Sequence, residues 1–241
     1  MMDLTHHQNQ CTIHQTHNTP PSGTICIGVD EVGRGSLFGH VSIGAVIMPD
    51  ELTGYFDEIN LSDGLFALLN DSKKLTAKRR EKLYDAILSD CHSAVLVDVP
   101  VSVIDAINIR QATLLGMSLA ISTLLVHHQP SMTDTKIFVD GDASPTLLAP
   151  FAQFDIRTLI KGDAIHSSVA CASILAKVHR DRQMEHYAHQ YPDYGLHSHK
   201  GYGTAKHKEA ILTHGVLPEH RRSFEPIRSL VRQNPSAGVQ P

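Results

Sequence analysis

Short apolar runs alternate with longer amphipathic stretches along this chain. Ile25, Ile27 and Val29 alternate with the small residues Cys26 and Gly28, and the run ends in charge at Asp30-Glu31. That pattern predicts a first strand over residues 25–30. A second, over residues 41–48, stops at Pro49-Asp50, and the glycine-rich loop between the two predicts an antiparallel pair. Residues 94–99, 136–139 and 156–160 predict three more strands, closed by Pro100, Asp140-Gly141 and Lys161-Gly162-Asp163. Three helical stretches separate them. Residues 71–88 bring Leu83, Tyr84, Ile87 and Leu88 to one side, and residues 104–126 are long and mostly apolar. Residues 165–189 carry the small side chains Ala170, Ala172, Ser173 and Ala176 on a packing side. Alternation of this kind predicts an α/β layered sheet, with no internal repeat and no second domain.

The chain has 241 residues, 41% of them hydrophobic, which suffices for one core. It has no unbroken apolar run of about 18 residues, so no membrane span is expected. Residues 1–23 are polar and lack the apolar segment of a secretory signal, so they read as an unstructured leader, as residues 231–241 read as an unstructured tail. The leader's His6, His7, His14 and His17 match no compact ligand set among themselves. Cys11, Cys26, Cys91 and Cys171 form no CxxC pair, which points to free thiols in a reducing cytoplasm. The net charge of −4 hides an asymmetry: nine Lys/Arg against eighteen Asp/Glu through residue 156, then eleven against seven from residue 157 to 230. The first part could hold cations and the second phosphates, although solvated surface charge explains the same difference.

The chemistry concentrates at strand ends. Asp30, Asp140 and Asp163 each close a predicted strand, and Glu31 adds a fourth carboxylate. Ligands of open α/β sheets gather at such ends. A set of four carboxylates without Cys or His suits hard cations such as Mg²⁺ or Mn²⁺, and two such ions activate water against a phosphodiester. Strand parity points Glu31 away from Asp30, so Glu31 joins the set only if the chain bends after Asp30. Other readings stand beside these. Asp140 fits a turn former, Asp163 an N-cap, and Arg34 an ion-pair partner for the Asp30-Glu31 pair.

Six blocks together resemble the ribonuclease HII family. They are Asp30-Glu31-Val32-Gly33-Arg34-Gly35, Asp71-Ser72-Lys73-Lys74-Leu75, Val139-Asp140-Gly141, Lys161-Gly162-Asp163, the run from Ala172 to Arg182, and the stretch from Tyr191-Pro192 to Lys200-Gly201-Tyr202. The resemblance spans about residues 25–226 with the blocks in the family's order. It implies an RNase H-like fold, a central five-stranded mixed sheet flanked by helices with a C-terminal helical extension, in one catalytic unit over residues 24–230. It implies a metal-dependent endoribonuclease acting on RNA–DNA hybrids and on DNA duplexes containing single ribonucleotides. Cleavage would fall 5′ of the ribonucleotide and leave 3′-OH and 5′-phosphate, with two Mn²⁺ or Mg²⁺ ions engaged and the protein a monomer.

Carried over by position, Asp30, Glu31, Asp140 and Asp163 become the catalytic metal ligands. Gly33, Arg34 and Gly35 meet the ribonucleotide and its 2′-OH, and Tyr202 stacks on the adjoining deoxyribose. Ser72 reads as a phosphate contact or a helix cap, and Lys73, Lys74, Lys177, Arg180 and Lys200 as backbone contacts or solvated surface charge. Ser36, Phe38 and His40 depart from the family pattern, which predicts a looser loop. Asp142 either adds a fifth carboxylate near the metals or faces water, and water is the expectation. A related nuclease on the same fold, such as a junction resolvase, and a non-catalytic nucleic-acid binder are the competing classes.

Overall fold

The structure is a computed structural model that describes residues 10–21, 23–61 and 64–233, the side chains of residues 70–74 excepted. Six strands form one mixed sheet: β1 (Thr12–His17), β2 (Ile25–Val32), β3 (Val41–Ile47), β4 (Ser93–Val99), β5 (Thr135–Asp140) and β6 (Ile156–Leu159). Their order across the sheet is β1-β4-β3-β2-β5-β6. The β1–β4, β4–β3 and β3–β2 pairs are antiparallel, whereas β5 pairs in parallel with both β2 and β6. Around it lie α1 (Ala77–Asp90), α2 (Val101–Ile107), α3 (Ile109–His128) and α4 (Ser167–Gln190). The C-terminal part adds α5 (Leu196–His199), α6 (Ala205–His214) and α7 (Ile227–Gln233).

Both faces of the sheet are covered, so its central strands are buried throughout rather than alternately. Ile25, Ile27 and Val29 face α3, packing with Met117, Ala120, Ile121 and Leu124. On the other face α4 lays Ala170, Ala172 and Leu175 against Val46 and Leu96. The approach of α4 is set by Gly28. A Cβ there would lie 2.2 Å from the Ser168 carbonyl carbon, so only glycine lets helix backbone meet strand backbone. Helix α3 is, among the described residues, the one helix long and apolar enough to cross a membrane, with a mean hydropathy of 1.5. Its apolar residues serve the core instead.

Four features differ from the sequence expectation. Thr12–His17 lies within the supposed leader but forms edge strand β1, giving six strands and not five. Its sequence is polar because an edge strand is held chiefly by backbone bonds to one neighbour and needs little apolar surface. The stretch over residues 104–126 is two helices. Asn108, at φ +70°, breaks it, and its side chain accepts a bond from the Gln111 amide to cap α3. The stretch over residues 71–88 is regular α-helix only from Ala77, where Thr76 caps α1 through the Arg79 amide. At the C-terminus, residues 231–233 of the supposed tail belong to α7. The rest of the leader and tail lies outside the described residues.

The Gly28 contact predicts a large cost for one methyl group. Gly28→Ala should destabilise the protein by about 3 kcal/mol or more, at the upper end of overpacking. Equilibrium urea unfolding would show it as a lower midpoint with unchanged slope; a cost near zero would mean that α4 is not held at this distance.

Candidate active site

Strands β2 and β5 run parallel and in register, Val29 opposite Val139, so the residues that follow, Asp30 and Asp140, end level on neighbouring strands. Both belong to the face that carries Cys26 and Phe138, against α4. Asp30 is buried at 5% exposure, and its carboxylate accepts from the Glu31 amide at 2.7 Å and from the Ser173 hydroxyl of α4. Burial holds its carboxyl well above the usual range, and the neighbouring charges of Glu31 and Asp140 push the same way.

Glu31 reaches the site by a route that parity disfavoured. The strand does not bend; it continues to Val32, with Glu31 opposite Ile43. Glu31 therefore projects from the α3 face and meets the field of Asp140 around the strand end. Burial raises its pKa, and Arg34, whose Nη1 lies 3.1 Å from Glu31 Oε1, opposes that rise. The ion pair considered for Arg34 thus exists, and it is with Glu31.

Asp140 does not act only in its own turn. Its Oδ1 accepts from the Gly162 amide at 2.6 Å, which docks the segment after β6 onto the strand end. Asp163 follows directly, buried in a single 3₁₀ turn, Gly162–Ala164. It is not the cap of α4; that position is His166, which makes no side-chain cap bond. A shallow groove opens beside these groups, lined by Glu31, Arg34, Asp140, Asp142, Met117 and Arg110. Asp142 is exposed on that groove, which Glu31 and Asp140 also line, and this fits both readings of it.

The loop after β2 stands against the C-terminal part. Gly33 has φ +90°, and a Cβ there would fall 2.3 Å from Arg180 Nε. Ser36 bridges to Tyr202, the Leu37 amide donates to the Gly201 carbonyl at 2.9 Å, and Gly35 faces the Tyr202 ring. Tyr202 is 38% exposed beside the loop.

Two buried guanidinium groups fix this loop, and sequence reasoning assigned neither to that task. Arg180 of α4 donates to the carbonyls of His40 (2.7 Å) and Phe38 (2.9 Å) and to Ser36 Oγ (2.9 Å). Arg221 donates to the carbonyls of Gly39 (2.9 Å), Arg34 (2.8 Å) and His40 (2.9 Å). Arg180 is 1% exposed, so it is no phosphate contact. Phe38 is wholly buried, edge-on to Tyr187 and His220. The loop is therefore held firmly, contrary to the looseness expected from Ser36, Phe38 and His40. Among the other candidate cations, Lys177 pairs with Asp181 at 2.7 Å, and Lys200 pairs with Glu185. The side chains of Ser72, Lys73 and Lys74 lie outside the described residues. Ser173 and Arg110 were missed as site residues. Ser173 was read only as a small packing residue, and Arg110 stood in a helix with no motif around it.

Comparison with known proteins agrees with this arrangement. Residues 27–227 match the model of the family described as Ribonuclease HII. A ribonuclease HII of Psychrobacter sp. (strain PRwf-1) is 41% identical, over 85% of this chain and 78% of the relative. The crystal structure of ribonuclease H2 from Pyrococcus horikoshii OT3 superposes with a TM-score of 0.63 at 27% identity, covering 88% of this chain and 99% of that one. Bst-RNase HIII, solved in complex with Mn²⁺, shares the fold at a TM-score of 0.65 and 20% identity, covering 88% of this chain and 70% of that one. With strand ends, loop and C-terminal part arranged as above and four-fifths of its length matching one family, the chain belongs to the ribonuclease HII family and is an endoribonuclease, a hydrolase.

Proposed function

We propose that this enzyme hydrolyses RNA in RNA–DNA hybrids and nicks DNA duplexes 5′ of single embedded ribonucleotides, with the four carboxylates as its catalytic metal ligands. One observation carries the reading: the Glu31–Arg34 pair joins the carboxylates to a rigid loop whose Gly35 faces the half-exposed Tyr202 ring. A 2′-OH is the only group that marks a ribonucleotide inside DNA, and it both donates and accepts. Backbone amides of the Gly33-Arg34-Gly35 loop suit such close contact, and they lie one turn of chain from the carboxylates. The Tyr202 ring offers a flat surface for the next deoxyribose, where a 2′-OH would crowd it.

The donor set fits a divalent cation of the Mg²⁺ or Mn²⁺ type. The charges of Glu31 and Asp140 oppose ionisation of Asp30, that of Asp140 opposes ionisation of Glu31, and Arg34 pairs with Glu31. All donors are hard oxygens, as these ions prefer. Asp30, Glu31, Asp140 and Asp163 would hold them. When bound, two such ions activate water and stabilise the leaving oxygen of a phosphodiester, which gives 5′-phosphate and 3′-OH ends. Arg34 and Arg110 flank the groove and would neutralise backbone phosphates. Ser72, Lys73 and Lys177 are further proposed phosphate contacts; Lys177 would exchange Asp181 for the substrate. The catalytic unit is taken as residues 24–230, acting as a monomer. The four cysteines are all free thiols, in keeping with a cytoplasmic setting.

Burial, with the charge repulsion added to it, predicts a pH dependence in the metal-free protein. Asp30 and Glu31 hold protons in the folded state above their ordinary values of 3.8 and 4.5, so the native state binds more protons than the unfolded one. Stability then falls as pH rises from about 4 toward neutrality. Asp30→Asn should raise the melting temperature in chelator at neutral pH, and the gain should shrink toward pH ~4. A gain independent of pH would point to some other cause.

Asp140→Asn should abolish nicking of a duplex with one embedded ribonucleotide while leaving the melting curve cooperative. Near-normal cleavage at saturating Mg²⁺ would remove Asp140 from the catalytic set, and a 2′,3′-cyclic phosphate product would refute the water mechanism.

Tyr202→Ala should lose a stacking contact of roughly 1–3 kcal/mol, about 5- to 150-fold in kcat/KM, on the single-ribonucleotide duplex. The loss should be smaller on a continuous RNA strand paired with DNA. Equal losses on both substrates would make Tyr202 a packing residue and not a junction reader.

A further inference from the structure

Among the described residues, two histidine-containing groups bring three ligand atoms within reach of one ion, and β1 supplies a member of each. His14 and His17 stand three residues apart on the strand, so they reach opposite faces of the sheet. On the α3 side His17 stacks on His127, with ring centroids 3.6 Å apart and planes 11° from parallel. Rings stacked face to face hold their in-plane lone pairs side by side, and one ion cannot take both. The α4 side is different. There His14 meets Asp98 of β4 and His179 of α4, with the two imidazoles 5.0 Å apart and tilted by 60°. Their Nε2 atoms lie 3.7 and 2.8 Å from the same oxygen, Asp98 Oδ2.

We propose that His14, Asp98 and His179, completed by Gln183, form a site for a Zn²⁺-class divalent cation that ties β1 to α4. His and Asp are ligand types zinc uses, the Gln183 amide would add a neutral oxygen donor, and two imidazoles select against Mg²⁺. A tetrahedral ion with bonds of about 2.0–2.1 Å spaces its ligands about 3.3 Å apart. The two distances to Asp98 bracket that value, so small shifts suffice.

Two further observations point to the same place. Asp98 is 3% exposed, and its second oxygen accepts from Ser42 Oγ at 2.5 Å, the kind of outer contact that orients a ligating carboxylate. The Gln183 amide nitrogen lies 2.5 Å from Asp98 Oδ2 and 3.0 Å from His179 Nε2, while its Oε1 is buried without a hydrogen-bond partner. Turning that amide over brings an oxygen, the donor a cation takes, against the other ligands and gives that oxygen a partner once an ion is bound. Strand β1 precedes the family-matched residues 27–227, so this site would anchor a segment added to the family core. The leader histidines have no ligand set among themselves; the missing members come from β4 and α4.

The test uses the full-length protein stripped with chelator, with Co²⁺ as spectroscopic probe and Zn²⁺ as competitor. Wild type should bind one equivalent of Co²⁺ with the visible absorption of a four-coordinate ion, displaced by Zn²⁺, and Zn²⁺ should raise its melting temperature. His14→Ala should weaken Zn²⁺ binding by more than about tenfold, since even outer-shell partners are worth ~10–100-fold. His179→Ala, on core helix α4, should do the same whether or not β1 stays docked. His17→Ala and Asp30→Asn should keep both the absorption and the thermal shift. No such absorption in wild type, its persistence in His14→Ala or His179→Ala, or its loss in His17→Ala or Asp30→Asn would each overturn the proposal.

Discussion

The arrangement rests on two buried guanidinium groups holding one irregular loop. Residues 33–40 leave β2 and return to β3 with few backbone partners in the sheet. Arg180 and Arg221 take up the carbonyls of residues 34, 38, 39 and 40. Buried Arg is costly unless its donors are paired, and unpaired buried carbonyls are costly too. Here the terminal nitrogens of Arg180 and three donors of Arg221 meet those carbonyls, although Arg180 Nε stays unpaired. Because Arg180 comes from α4 and Arg221 from the C-terminal part, the same bonds fasten the loop to both. The position of Tyr202 beside Gly35 follows from that fastening.

The strand ends show the opposite balance. Asp30, Glu31 and Asp140 are gathered by a parallel register and by the close approach of α4 at Gly28, and their charges oppose one another. Packing energy elsewhere in the core sustains this, since two apolar clusters sandwich the sheet. A group of carboxylates whose charges oppose one another thus stands beside a loop held by five guanidinium-to-carbonyl bonds.

Asp98 supplies a contrast within the same sheet. It is as deeply buried as Asp30, yet its carboxyl is held well below the usual range; burial opposes this, and bonds from His14 and His179 outweigh it. The neighbours of one carboxylate favour its charge, and those of the other oppose it.

Much of this was legible in the chain. The strands from Ile25, Val41, Ala94, Lys136 and Ile156 declared themselves because a sheet covered on both faces demands continuous apolar runs, and turn residues closed each of them. The carboxylates stood out because charge at the end of a buried strand needs a reason. Other features had no local signal. Strand β1 is polar, since backbone bonds to β4 and not apolar burial hold it. The break at Asn108 hides in a periodic helical run, because one left-handed residue changes direction without changing pattern. Glu31 joins Asp140 without a bend because the site wraps around the strand end, which parity along one strand cannot express. Arg180 read as a surface cation, and only the packing of α4 against the loop made it a buried clamp. The sequence by itself determined which side chains stand at the strand ends and where the apolar runs lie, since side-chain type and apolar period are local. Tertiary structure alone decided which of them meet, because those contacts join residues far apart in the chain whose approach depends on helix-to-sheet distance and strand register.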